Sequence, residues 1–196
     1  MALPSALPVS PMRRIVLVSV LIAAALSGCA TPIYRTDVFR AQLTAPYTLA
    51  SGDRLRVIVF GQDALSNSYA VNGSGMISMP LIGNVAVVSL TTSEAERLIE
   101  SKLRGGFLRD PHVSAEVEAF RPFFVLGEIT TAGQFPFIAG MTVQKAIAVA
   151  GGFTPRADRN SATITRMVSG TQISAKVPLA YPLRPGDTVT IEERFF

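Results

Sequence analysis

The sequence predicts an α+β protein of two small mixed domains that follow an N-terminal targeting segment. Three observations carry this reading. An apolar run behind two arginines ends at the chain's one cysteine, strand-like and helix-like text alternate twice, and one turn phrase opens the first series and closes the second. Of the 196 residues, 48% are hydrophobic and 16% charged, enough for one sizeable core or two small ones and too apolar for a disordered chain.

The targeting segment reads Met12-Arg13-Arg14, then twelve apolar or small residues from Ile15 to Leu26, then Ser27-Gly28-Cys29. A basic start, a short apolar stretch and small residues at the exit make a secretory signal over 1–28, too short for an ordinary spanning helix. Met12 is a second candidate start, since the first 11 residues hold three prolines. Leu26-Ser27-Gly28-Cys29 resembles the bacterial lipoprotein box, which implies cleavage before Cys29, a diacylglycerol on its sulfur and a further acyl chain such as palmitate on its amine. More than one chain is what stable anchoring requires. The blander reading is a free cysteine that ends a signal peptide. Either way no disulfide can form within the chain. Ala30 follows, and by the same resemblance the absence of Asp there favours the outer membrane.

Residues 29–46 read as a lipidated, irregular tether with Pro32 and Pro46 as breakers, and no later stretch is apolar enough to span a membrane. The first domain is expected over 47–120. In Tyr47-Thr48-Leu49-Ala50-Ser51-Gly52-Asp53-Arg54-Leu55-Arg56-Val57, Leu55, Val57 and Val59 alternate with Arg54, Arg56 and Ile58, a strand launched from a Gly-Asp turn. Gly73 to Val85 reads as short strands about a Gly-rich turn. Thr91 to Glu94 offers a capping box to a helix of about three turns, with Ala95, Leu98, Ile99 and Leu103 on one face and Gly105-Gly106 as its stop. After Asp110-Pro111 comes a strand with Val113, Ala115, Val117 and Ala119 facing inward and His112, Ser114, Glu116 and Glu118 facing water.

The second domain is expected over 121–196. Phe123 to Ile129 and Gln134 to Phe137 form a hairpin, with Gly127 in the first strand's text. A second helix of about three turns starts at Thr142, buries Val143, Ala146, Ile147 and Ala150, and stops at Gly151-Gly152. Strands near 162–167 and 173–177 follow. Tyr181-Pro182-Leu183-Arg184-Pro185-Gly186-Asp187 then repeats the earlier Tyr-x-Leu-x-x-Gly-Asp phrase before a strand over Thr188 to Ile191. In both copies Gly52 and Gly186 supply a backbone angle closed to other residues, and Asp53 and Asp187 cap neighbouring amides.

Groups for chemistry are scarce. The formal net charge of +4 falls to +2 once Arg13 and Arg14 leave with the signal, which gives no case for nucleic acid. His112 reads as a solvated histidine beside Glu116 and Glu118, not a general base. No Cys/His cluster has metal-ligand spacing, and no cofactor is called for. Gly73-Ser74-Gly75 lacks the helix and the Gly-Lys-Ser/Thr of a phosphate loop and reads as a turn. Asp53 and Asp187 as a catalytic carboxylate pair of a hydrolase is the least supported reading, so no catalytic residue is assigned. The terminal Arg194-Phe195-Phe196 resembles a barrel sorting signal but fits a terminal strand or a subunit contact better.

Taken in order, these residues resemble the polysaccharide export lipoproteins of the periplasm and outer membrane. Tyr47-x-Leu49-x-x-Gly52-Asp53, Gly73 to Pro80 with Ile82-Gly83, Thr91 to Leu103 and Asp110-Pro111-x-Val113 are similar to the polysaccharide export domain. Val125-x-Gly127-Glu128-Ile129, Gly133-Gln134-Phe135, Thr142-Val143, Ala146 to Gly152 and Arg184-Pro185-Gly186-Asp187 are similar to the soluble-ligand-binding β-grasp (SLBB) domain. The resemblance implies a homo-oligomeric ring, not an enzyme, that passes capsule or exopolysaccharide out of the cell. It implies an inner-membrane polysaccharide co-polymerase as partner and a place at the periplasmic face of the outer membrane, anchored through Cys29. Large members carry a further domain and a C-terminal pore helix that this text lacks. A separate outer-membrane pore protein completing the exit and docking by the lipid anchors alone both stay open. The reading from another class is a monomeric, lipid-anchored module that binds a small ligand or cell-wall glycan.

Overall fold

The computed structural model describes residues 36–39, 43–168 and 170–194. The signal sequence, Cys29 and the last two phenylalanines lie outside the described residues. Among those described, no helix is long and apolar enough to cross a membrane.

The fold comprises two small mixed α/β domains. In the first, β1 (Arg54–Val59) lies between β2 (Asn67–Ala70) and β5 (Val113–Ala119), antiparallel to both. Leu55, Val57 and Val59 alternate inward, as the sequence predicts, and the two arginines between them stay exposed. β3 (Met76–Met79) and β4 (Gly83–Ala86) form a separate hairpin that adds Ile77, Met79 and Val85 to the same core.

Helix α1 (Thr92–Arg104) closes that core with Ala95, Ile99 and Leu103. Its start is a full capping box: the Glu94 amide donates to the Thr91 hydroxyl, and the Glu94 carboxylate accepts from the Thr91 amide. The same helix covers the free edge of β5, where Glu100 accepts the Val113 N–H at 2.9 Å and Glu96 the Ala115 N–H at 2.7 Å. An edge strand so engaged does not recruit another strand there. The expected inward face of β5 runs out before Ala119, which is exposed. The register explains this, because Leu55 pairs with Val117 while Arg54 pairs with Ala119. Glu118 is thus the extra residue of a bulge, and beyond it Ala119 shares the outward phase of Arg54.

The second domain is a five-stranded sheet in the order β7 (Gly133–Phe135), β6 (Phe123–Gly127), β10 (Thr188–Ile191), β8 (Ser161–Val168), β9 (Thr171–Pro178). β6 and β10 run parallel, so the chain between them must cross over, and it does so through α2 (Val143–Val149). Val143, Ala146 and Ile147 of α2 share a core with Phe123, Val125, Ile164, Val177, Val189 and Ile191. The expected three turns shrink to seven residues. The helix nevertheless starts and stops where the sequence predicts, since the positions between Thr142 and Gly151 hold only about two turns; it closes in a Schellman ending, with Gly152 N donating to Ile147 O, Gly151 N to Ala148 O and both glycines at positive φ. Gly127 ends the parallel pair at φ +88°, where a Cβ would lie 2.0 Å from the Ile191 carbonyl oxygen.

Within the segment expected to be an irregular tether, Thr36–Phe39 forms a 3-10 turn that buries Phe39 completely in the core of the second domain. Its ring lies 6.4 Å from that of Tyr181, and the Arg166 guanidinium sits 4.7 Å above it. Phe39→Ala is expected to cost about 3–5 kcal/mol in urea unfolding, whereas Phe60→Ala, at a side chain 82% exposed, is expected to shift stability by less than about 0.5 kcal/mol.

Candidate functional site

The repeated phrase forms the same turn twice. Leu49 and Leu183 are buried in the first and second core respectively, and Gly52 and Gly186 take φ of +93° and +85°. Asp53 N donates to Ala50 O and Asp187 N to Arg184 O. The carboxylates answer in kind: Asp53 accepts from Ala50 N at 2.9 Å, and Asp187 from Arg184 N at 2.7 Å. Both aspartates are fully buried.

Outside the turns the two copies part. Asp53 accepts the Tyr47 hydroxyl at 2.6 Å and, from the start of the second domain, the backbone N–H of Arg121 at 2.8 Å. Burial and then the bond to Asp53 hold the Tyr47 hydroxyl well above the ordinary phenol range. Asp187 instead receives a two-pronged contact from Arg166, whose Nε and Nη2 each donate at 2.7 Å. Tyr181, the counterpart of Tyr47, has a buried hydroxyl with no hydrogen-bond partner among the described residues.

Arg121 joins the two turns. Its Nη1 donates to the Tyr47 hydroxyl at 3.0 Å and lies 3.6 Å from Asp53. Its stem covers both glycines: a Cβ on Gly52 would meet Arg121 Cβ at 3.3 Å, and one on Gly186 would fall 2.6 Å from Arg121 Nε. Gly186 N donates to Pro122 O, and Phe124 N to Asp187 O. The turn at one end of the first sheet and the turn at one end of the second are therefore stacked on a single side chain. Both glycines sit where φ disfavours other residues, and a side chain at Gly186 would in addition push the Arg121 guanidinium aside. Arg184 adds a third guanidinium, donating from Nη2 to the Ala45 carbonyl at 2.8 Å. Burial and the charge of Arg166 push its pKa down.

The remaining residues singled out from the sequence lie elsewhere. Gly127 ends β6, and Gly151 and Gly152 end α2, where Thr130 N donates to Gly152 O. His112 is exposed, with Asp110 at 3.5 Å as its carboxylate neighbour and not Glu116 or Glu118. Gly73 to Gly75 form a turn capped by Asn72, whose Oδ1 accepts from the amides of Ser74 and Met76. Among the described residues no group of three or more His, Cys, Asp or Glu is placed to hold a metal ion. Sequence reasoning missed Arg121, Arg166 and Arg184. Arg166 had a visible signal, since it follows Ala162 and Ile164 at an inward position of β8, where a cation must find a buried carboxylate.

Residues 41–118 match the family model described as polysaccharide biosynthesis/export protein, and residues 122–175 match the SLBB domain. The chain is also similar to the exopolysaccharide production protein ExoF of Rhizobium meliloti (strain 1021), 34% identical over 147 residues that make up 69% of this chain and 33% of that protein. The chain belongs to the polysaccharide export protein family. It matches about a third of the length of that curated relative. The two family matches leave only 119–121 between them, so Arg121 stands where an export domain meets an SLBB domain. Of the two turn carboxylates, Asp53 is bonded across the junction by Arg121 and Asp187 is gripped by Arg166 within its own sheet.

The unequal second copy makes a sharp prediction. Asp187→Ala strands a buried guanidinium and is expected to cost about 3–5 kcal/mol in urea unfolding. Tyr181→Phe removes a hydroxyl that has no partner among the described residues and is expected to be neutral or stabilising by up to about 1 kcal/mol, while Tyr47→Phe is expected to be destabilising.

Proposed function

We propose that this export-family protein is a non-enzymatic subunit of a homo-oligomeric ring through which capsule or exopolysaccharide leaves the cell. The observation that carries the proposal is the braced junction. Two family domains held together through Arg121 make a subunit of fixed shape, and a closed ring needs the same angle between successive copies. In this reading 1–28 is a signal peptide, Cys29 carries the acyl chains, 29–46 links the lipid to the fold, and 47–120 and 121–196 are the export and SLBB domains. Gly52, Asp53, Gly186 and Asp187 hold the turns in register, and Gly127, Gly151 and Gly152 shape the second domain.

The subunit would sit at the periplasmic face of the outer membrane. It would receive polymer from an inner-membrane co-polymerase and hand it to a separate outer-membrane pore protein. A conduit for a long hydrophilic chain works by weak, repeated contact, because a tight site would halt transit.

Deleting the gene and measuring secreted against cell-associated polysaccharide tests this. Secreted polymer is expected to fall sharply, to recover with the wild-type gene and not to recover with Cys29→Ser. Secretion that continues unchanged in the deletion strain, with no second copy of the gene present, would refute the export role.

A further inference from the structure

Beside the junction lies a cleft of about 430 Å³ whose walls include Tyr47, Thr48, Ser89, Arg121, Arg166 and Arg184. Its charge is unbalanced. Arg121 lies next to Asp53 and Arg166 grips Asp187, whereas Arg184 donates to a neutral backbone carbonyl, that of Ala45. Three guanidinium groups thus share two buried carboxylates, and a positive charge is left facing the cleft. The neighbouring wall supplies hydroxyls, because Thr48 and Ser89 are both exposed.

Ser89 is also one of two described non-glycine residues with positive φ, at +65°. It is held there by its amide, which donates to Leu49 O at 2.8 Å, with Leu49 N donating to Leu90 O at 2.8 Å. Backbone held in a sparsely populated region collects at ligand sites. Here it places a serine on the wall of the cleft that also carries the surplus cation. A guanidinium fork matches a carboxylate, and flanking hydroxyls match those of a sugar ring.

We propose that this cleft binds a carboxylate-bearing sugar unit of the transported polymer, with Arg184 as its cationic partner and Thr48 and Ser89 as its hydroxyl contacts. The proposal rests on the export reading above and narrows it to acidic polysaccharide. The affinity expected is weak, as transit requires.

The test is calorimetric titration of the full chain, in detergent at low ionic strength, with tetragalacturonate, maltotetraose and inorganic phosphate. Tetragalacturonate is expected to bind with a dissociation constant on the order of 1 mM, and maltotetraose not at all. Arg184→Gln is expected to weaken binding about tenfold or more, with Arg184→Lys between it and the wild type. Ser89→Gly, which relieves the backbone and so folds, is expected to weaken it about threefold. Tetragalacturonate binding that neither Arg184→Gln nor Ser89→Gly changes would overturn the site. Maltotetraose binding equally well would overturn the acidic preference, and phosphate binding as tightly would show a site for free anions only. A chain that does not bind tetragalacturonate yet is required for secretion would overturn this site and leave the export role standing; one that binds yet is dispensable for secretion would do the reverse.

Discussion

A carboxylate with no solvent access has to be met by donors, and Asp53 finds one of its donors in the next domain. Ala50 and Tyr47 satisfy one oxygen from within the first domain's own turn, and the backbone N–H of Arg121 satisfies the other. Were the domains to separate, that buried charge would lose a donor it cannot replace locally, a loss worth roughly 1–3 kcal/mol. The same residue then lays its side chain over Gly52 and Gly186, so the position of the second turn is tied to the first. The two sheets are aligned through one residue whose backbone amide and guanidinium both bond to the first domain's turn while its side chain packs over Gly186 of the second.

The two copies of Tyr-x-Leu-x-x-Gly-Asp show how one local solution is finished differently by its surroundings. Inside each turn the hydrogen bonds match residue for residue. Outside them, Asp53 is neutralised at the edge of its domain by Tyr47 and Arg121, and Asp187 from within its own sheet by Arg166. With Arg166 in place, Asp187 does not take up the Tyr181 hydroxyl, which has no hydrogen-bond partner among the described residues. The Tyr181 ring packs with Phe39, so the residue is retained there for its shape. Phe39 in turn lies under Arg166, which makes the segment before the first domain part of the second domain's core.

Most of the fold was legible because its signals are local. Alternation in β1, the capping box of α1, the paired glycines after α2 and the Gly-Asp turns each depend on residues a few positions apart. What escaped was set by tertiary contact. The outward turn of Ala119 comes from a bulge that exists only in the pairing with β1. β2 is four residues with little alternation, and it is specified by β1 beside it. The burial of Phe39 needs β9 and Arg166, more than 100 positions away. In the candidate site both aspartates and both glycines could be read from the repeat. The arginines that give the junction its charge could not, because no repeat marks Arg121 and only strand phase marks Arg166.

The proposed ring would need subunits with fixed surfaces, and the contact between Asp53 and Arg121 is what ties the two domains to each other's turns. The most direct test is calorimetric unfolding of the wild type and of Asp53→Ala. With the junction intact both domains should melt as one cooperative unit, and in Asp53→Ala the trace should resolve into two transitions. A variant that still unfolds in a single transition, merely at a lower temperature, would contradict the account, since the domains would then be held together by something other than this junction.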